Sequence, residues 1–164
     1  MRLRRIALQR RLWRALAMNI LDLRGSEGWL SVYARAPEGP PLEPGDDVRY
    51  LRYAAGGFGF QGAGSGFVEG SVLRDFCSRL VVLSDNPHET ARLIGTEERG
   101  LWLEVGPAHS PKVASVRGRI VVTNVVLPAE DSPRNQWSLE FGFFCERSLL
   151  ADVREVAWVS HYAG

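Results

Sequence analysis

The chain has 164 residues, 45% of them hydrophobic and 24% charged, which suits one folded domain with a real core rather than a disordered segment. Its net charge of +1 hides an asymmetry: residues 1–17 carry six arginines and no acid, leaving 14 basic against 19 acidic side chains in the rest. That acidic remainder excludes a nucleic-acid-binding body, which needs a basic footprint, and no window approaches the roughly 18 uninterrupted apolar residues of a membrane span.

In chain order, the first stretch, MRLRRIALQRRLWRALAMNI, places Leu3, Ile6, Trp13, Leu16 and Ile20 near helical spacing with arginines between them. It reads as a basic amphipathic helix, suited to a membrane surface, a transit leader, a nucleic-acid contact or docking in an assembly; the plainer alternative is an extension ahead of Met18 with no place in the fold. The domain division is therefore 1–17 as extension and 18–164 as a single body. Arginines interrupt every candidate apolar core of a secretory signal.

Alternation begins past Leu23. GWLSVYARA (28–36) sets Leu30, Val32, Ala34 and Ala36 opposite Trp29, Ser31, Tyr33 and Arg35, and DVRYLRYAA (47–55) sets Arg49, Leu51, Tyr53 and Ala55 opposite Val48, Tyr50, Arg52 and Ala54. The proline-rich PEGPPLEPGDD (37–47) between them is a loop, so the two strands form a hairpin.

Gly57-Phe58-Gly59-Phe60-Gln61-Gly62 spells the G-x-G-x-x-G of a dinucleotide-binding turn, but such a site needs a helix directly after the glycines. Here a period of two continues to Phe67 and Val68, so residues 57–66 read as a glycine-rich strand with a bulge or bend. The helix follows at EGSVLRDFCSRLVVL (69–83), with Ser71 as its cap and Leu73, Phe76, Cys77, Leu80 and Leu83 on one face. SDNPHE ends it.

Strands are then expected at 90–96, 100–107 and 112–128, and QWSLEFGFFC puts Trp137, Leu139, Phe141, Phe143 and Cys145 on one face. ERSLLADVREVAWV (146–159) reads as a second amphipathic helix through Leu149, Val153, Val156 and Ala157. Without regular β-α-β alternation, the economical arrangement is an α+β domain: a largely antiparallel sheet of about six to seven strands with two helices on one face. Tyr50, Tyr53 and Phe58 are expected to pack against those helices, with a homodimer edge as their alternative use.

The run GFGFQGAGSGFVEGSVLRDFCSRLVVL, the strands around GLWLEV and KVASVRGRI, and the terminal WSLEFGFFCERSLLADVREV resemble the WapI-type immunity proteins and allied bacterial families. The likeness spans residues 27–159 and lies in the order of elements, glycine-containing strands leading to a helix with Leu73, Phe76 and Leu80. It implies a protein that binds and blocks a cognate bacterial toxin, and the two separated cysteines suit a cytoplasmic location. It carries no catalytic signature and no fixed contact residues.

Enzyme chemistry finds little support in the residues. His88, His109 and His161 are scattered, without the helical pairing of a zinc site; Cys77 and Cys145 sit on apolar faces and read as core thiols in a reducing compartment. Glu69, Glu104 and Glu140 lie on or beside strands and read as solvated, with an acid/base pair as the alternative. No catalytic, cofactor or metal residue is therefore expected. The candidate partner contacts are acids in turns, Glu97, Glu98, Glu130 and Asp131, which would steer a basic toxin. A scaffold module docking through the N-terminal helix, and a nucleotide binder using Gly57 to Gly66, are the other readings.

Overall fold

The computed structural model describes residues 17–35, 48–97, 100–122 and 137–152. Four strands, β1 (Ala17–Arg24), β2 (Trp29–Arg35), β3 (Val48–Gly57) and β4 (Phe60–Glu69), pair in sequence order as an antiparallel meander. Helix α1 (Gly70–Asp85) leads to a second meander of β5 (Ala91–Ile94), β6 (Trp102–Pro107), β7 (Val113–Val122) and β8 (Trp137–Glu146), closed by a 3-10 turn at Arg147–Asp152.

Alternation explains each inner face. Leu30, Val32, Leu51, Tyr53 and Ala55 from the first sheet, and Leu93, Leu103, Val105, Val116, Ile120 and Phe143 from the second, join one buried cluster. The helix adds Leu73, Phe76, Cys77, Leu80 and Leu83, the face its spacing predicts, and packs on β5 and the 3-10 turn.

The sheets meet most closely where β4 crosses β7. A Cβ at Gly64 would collide with the Val121 carbonyl oxygen, and the ring of Tyr53, the register partner of Gly64, lies over the same spot. Only glycine lets the two backbones approach this far. The Tyr53 hydroxyl donates to the Ser65 carbonyl at 2.9 Å, and burial pushes its phenol above the ordinary value. A second tie joins the sheets at a corner, where Thr96 N donates to the Phe67 carbonyl at 2.8 Å.

Several expectations are corrected. Among the described residues two four-stranded antiparallel sheets carry one helix, in place of one sheet of six to seven strands with two helices on one face. Alternation marks a buried strand face but is silent on what covers it; here much of the cover is another sheet. Residues 17–20, drawn into the basic helix by Leu16 and Ile20, are strand, because β2 supplies a partner from Ala17↔Arg35 onward. The proposed second helix is a 3-10 turn through Asp152, whose first N–H donates to the Lys112 carbonyl at 3.0 Å and whose Leu150 is buried; residues 153–159 lie outside the described residues. Helix α1 starts at Gly70 with Glu69 as its cap and no side-chain cap bond. Ser71 misses that role because Glu69 is still paired to Val48, so the strand runs straight into the helix. Residues 1–16 also lie outside the described residues, and the basic-extension reading concerns them almost entirely.

Candidate functional site

The glycine stretch is a hairpin. Gly57 pairs with Phe60, leaving Phe58 and Gly59 as a two-residue turn with φ of 51° and 83°. Two positive φ values in succession make a type I′ turn, whose twist matches the strands it joins. Gly59 is the usual residue at its position; Phe58 is not, since a bulky side chain in the left-handed region costs about 1–2 kcal/mol. Ten paired positions from Val48↔Glu69 to Gly57↔Phe60 hold it there.

What the turn presents is aromatic. Phe58 is 76% exposed and Phe60 71%, more than any other large hydrophobic among the described residues. The β1–β2 loop, closed by Gly25 N donating to the Gly28 carbonyl at 2.8 Å, stands beside them, with the Glu27 carbonyl against Gly57 and the Trp29 indole against Gly56. The tip therefore rests on backbone and is supported from one side, so its geometry is fixed while its rings face water. Of the tyrosines expected against helices, Tyr53 packs on the glycine strand and Tyr50 lies 5.3 Å from the Phe67 ring. Phe58 packs against neither.

The second sheet shows a different surface. On its outward side Glu104 is clamped by two arginines, Arg92 Nε donating to Oε2 at 2.6 Å and Arg117 Nε donating to Oε1 at 2.8 Å. Burial opposes ionisation of Glu104, but the hydrogen bonds and charge of Arg117 and Arg92 outweigh it and hold the carboxyl below its usual range. Glu140 lies on the same face two strands away, with β7 between, and Glu69 ends β4 in the other sheet. The three carboxylates do not converge as an acid/base pair.

Cys77 and Cys145 are buried, as their faces predict; burial pushes the first thiol up to about 12 and, with the charge of Glu146, the second up to about 11. His88 follows the helix, its backbone N–H donating to Asn86 Oδ1 at 3.1 Å, and His109 meets the edge of Phe144 at 5.3 Å. His161 is outside the described residues. Among the described residues no three His, Cys, Asp or Glu side chains gather as a metal site, and no helix is long and apolar enough to cross a membrane.

Of the acids expected to meet a partner, Glu97 is exposed in the β5–β6 connection, whereas Glu98, Glu130 and Asp131 lie outside the described residues. Beyond residue 17 the sequence carries 14 basic against 19 acidic side chains, and four of those acids, Glu38, Glu43, Asp46 and Asp47, belong to the proline-rich stretch 36–47. Alternation alone does not show the prominence of Phe58 and Phe60, since a G-F-G-F string fits a buried strand equally well; the signal is two-residue turn spacing between alternating runs.

Compared with known proteins, the chain matches no family model, no curated protein and no solved structure.

Proposed function

We infer that this chain is a protein-binding domain that docks through the β3–β4 hairpin tip, and, following its resemblance to the WapI-type families, that its partner is a bacterial toxin it neutralises. The observation that carries the reading is Phe58, held in a strained conformation with its ring and that of Phe60 turned to water. Burying two phenylalanines in a partner gains roughly 3–6 kcal/mol of gross apolar transfer, enough for the centre of an interface. A rigid turn loses little entropy on docking.

The test uses the full chain as bait in lysate of the native cell, beside a Phe58→Gly/Phe60→Ser variant. Wild type should retain one partner stoichiometrically and the variant at least tenfold less, with co-expression of the wild type relieving growth arrest caused by that partner. Replacing Phe58 by glycine relieves the turn, so the variant should melt no lower than wild type. Equal recovery by both baits would overturn the tip as the docking element. A partner that does not arrest growth would overturn the toxin reading.

A further inference from the structure

Each sheet ends in two edge strands, whose outward N–H and C=O groups pair with another chain unless something prevents it. Three of the four edges are guarded. Strand β5 has only four residues and packs beside α1, and β4 is crossed by β7 and tied at Phe67 by Thr96. Strand β1 carries a bulge between Asn19 and Leu21 and the exposed charges of Asp22 and Arg24. By contrast β8 runs ten residues in unbroken register with β7, without proline, lysine or bulge, and among the described residues it pairs with β7 alone. Only its far end is covered, where the Phe144 carbonyl lies against Gly25 of the β1–β2 loop. Backbone groups alternate in direction along a strand, so those of Glu140 and Gly142 point the same way as that carbonyl, away from β7.

Gly142 is the feature that points outward. It is exposed, its φ is not positive, and a Cβ there would meet nothing nearer than 3.8 Å, so the chain's own packing does not require a glycine. A bare position inside a strand weakens it and marks a place where another backbone comes close. Two residues away, exposed Glu140 is in no ion pair among the described residues.

We propose that β8 pairs antiparallel with β8 of a second copy about a two-fold axis at Phe141, joining the two second sheets into one of eight strands. In this register Glu140 stands opposite Gly142 of the second copy, each such pair exchanges two backbone hydrogen bonds, and the axis generates the pair twice. On the outward side Glu140 extends over the bare glycine toward Arg117 of the second copy, because Arg117 is the β7 partner of Gly142. On the inward side half-buried Phe141 meets its own symmetry mate, and half-buried Leu139 meets Phe143. Neighbouring axes are worse. One at Glu140 sets two carboxylates face to face, and one at Gly142 draws in Phe144, whose edge is already covered. The contact is short, below the roughly 1,200 Å² of a standard interface, so a Kd of roughly 10–100 μM is expected. It is separate from the hairpin tip and stands whether or not the tip docks a partner.

The experiment is sedimentation of the full chain from about 5 to about 500 μM, with amide hydrogen exchange followed by NMR over the same range. A monomer–dimer equilibrium is expected, with exchange at the Glu140 and Gly142 N–H groups slowing about three- to tenfold as concentration rises. Gly142→Glu places like charges opposite each other twice and should raise the Kd at least tenfold, whereas Gly142→Lys, which sets a cation beside Glu140, should leave it equal or lower. Phe58→Gly/Phe60→Ser should not change it. The wild-type exchange data stand even if a variant fails to fold. A monomer at about 500 μM, a dimer whose Glu140 and Gly142 exchange ignores concentration, equal weakening by Gly142→Glu and Gly142→Lys, or loss of the dimer in the tip variant would overturn the proposal.

Discussion

The two sheets solve the same packing problem in opposite ways. Where they meet, the first removes side chains, Gly64 on β4 admitting the Val121 carbonyl, while the second supplies bulk through Ile120 and Phe143. On their outward parts the contrast reverses. The first ends in two bare phenylalanines on a strained turn, and the second in a charged ladder in which Glu104 is already satisfied. Packing tolerance is therefore lowest on the glycine strand, and surface reactivity lowest at the ladder.

The sharpest way to break this contrast is Gly64→Ala. The added methyl meets backbone oxygen rather than a movable side chain, so a loss of about 3 kcal/mol is expected, read as a lower urea midpoint. Gly59→Ala is its control, since open space surrounds that position and only the left-handed φ is penalised, at about 1 kcal/mol. Equal losses at the two sites would show that β4 and β7 do not approach as described.

A smaller effect is expected on the second sheet. Glu104→Gln should cost about 1 kcal/mol, discounted because both arginines are largely exposed. The folded carboxyl titrates below its unfolded value, so its contribution is complete above about pH 4.3 and is lost as pH falls through the depressed value. Melting temperatures of wild type and variant should thus differ at pH 7 and draw together as the pH falls through the depressed value; a constant gap would contradict the ion-pair origin. Smallest in energy is the cysteine prediction. With both thiols buried and raised, neither should react with a disulfide reagent at pH 8 until urea unfolds the chain, whereupon both react. Rapid native modification of either would place it outside the core.

Much of this was legible in sequence at the level of single elements. The alternation expected over 28–36 and 47–55 recurs over the described residues 28–34 and 48–55, as does the helical face from Leu73 to Leu83. Strand β1 was hidden because AMNILDLR adjoins an arginine-rich segment with helical spacing, and only pairing with β2 resolves the ambiguity. The number of sheets was hidden because alternation reports a covered face without its cover. The tip was legible only in part: the two-residue spacing between alternating runs marks a hairpin, but the left-handed φ at Phe58 and the exposure of its ring depend on geometry that composition does not record.

The meander order has a kinetic meaning. Every strand pair within each sheet joins sequence neighbours, so the cost of closing loops during folding is small until the two sheets dock. The β3–β4 hairpin closes over only two residues and aligns ten pairs, which makes it the natural first structure in the chain. The contact between Gly64 on β4 and Val121 on β7 spans the helix and two strands, β5 and β6, and belongs to the last step. The strained turn that shows its aromatic rings to solvent is thus also where the chain begins to take shape.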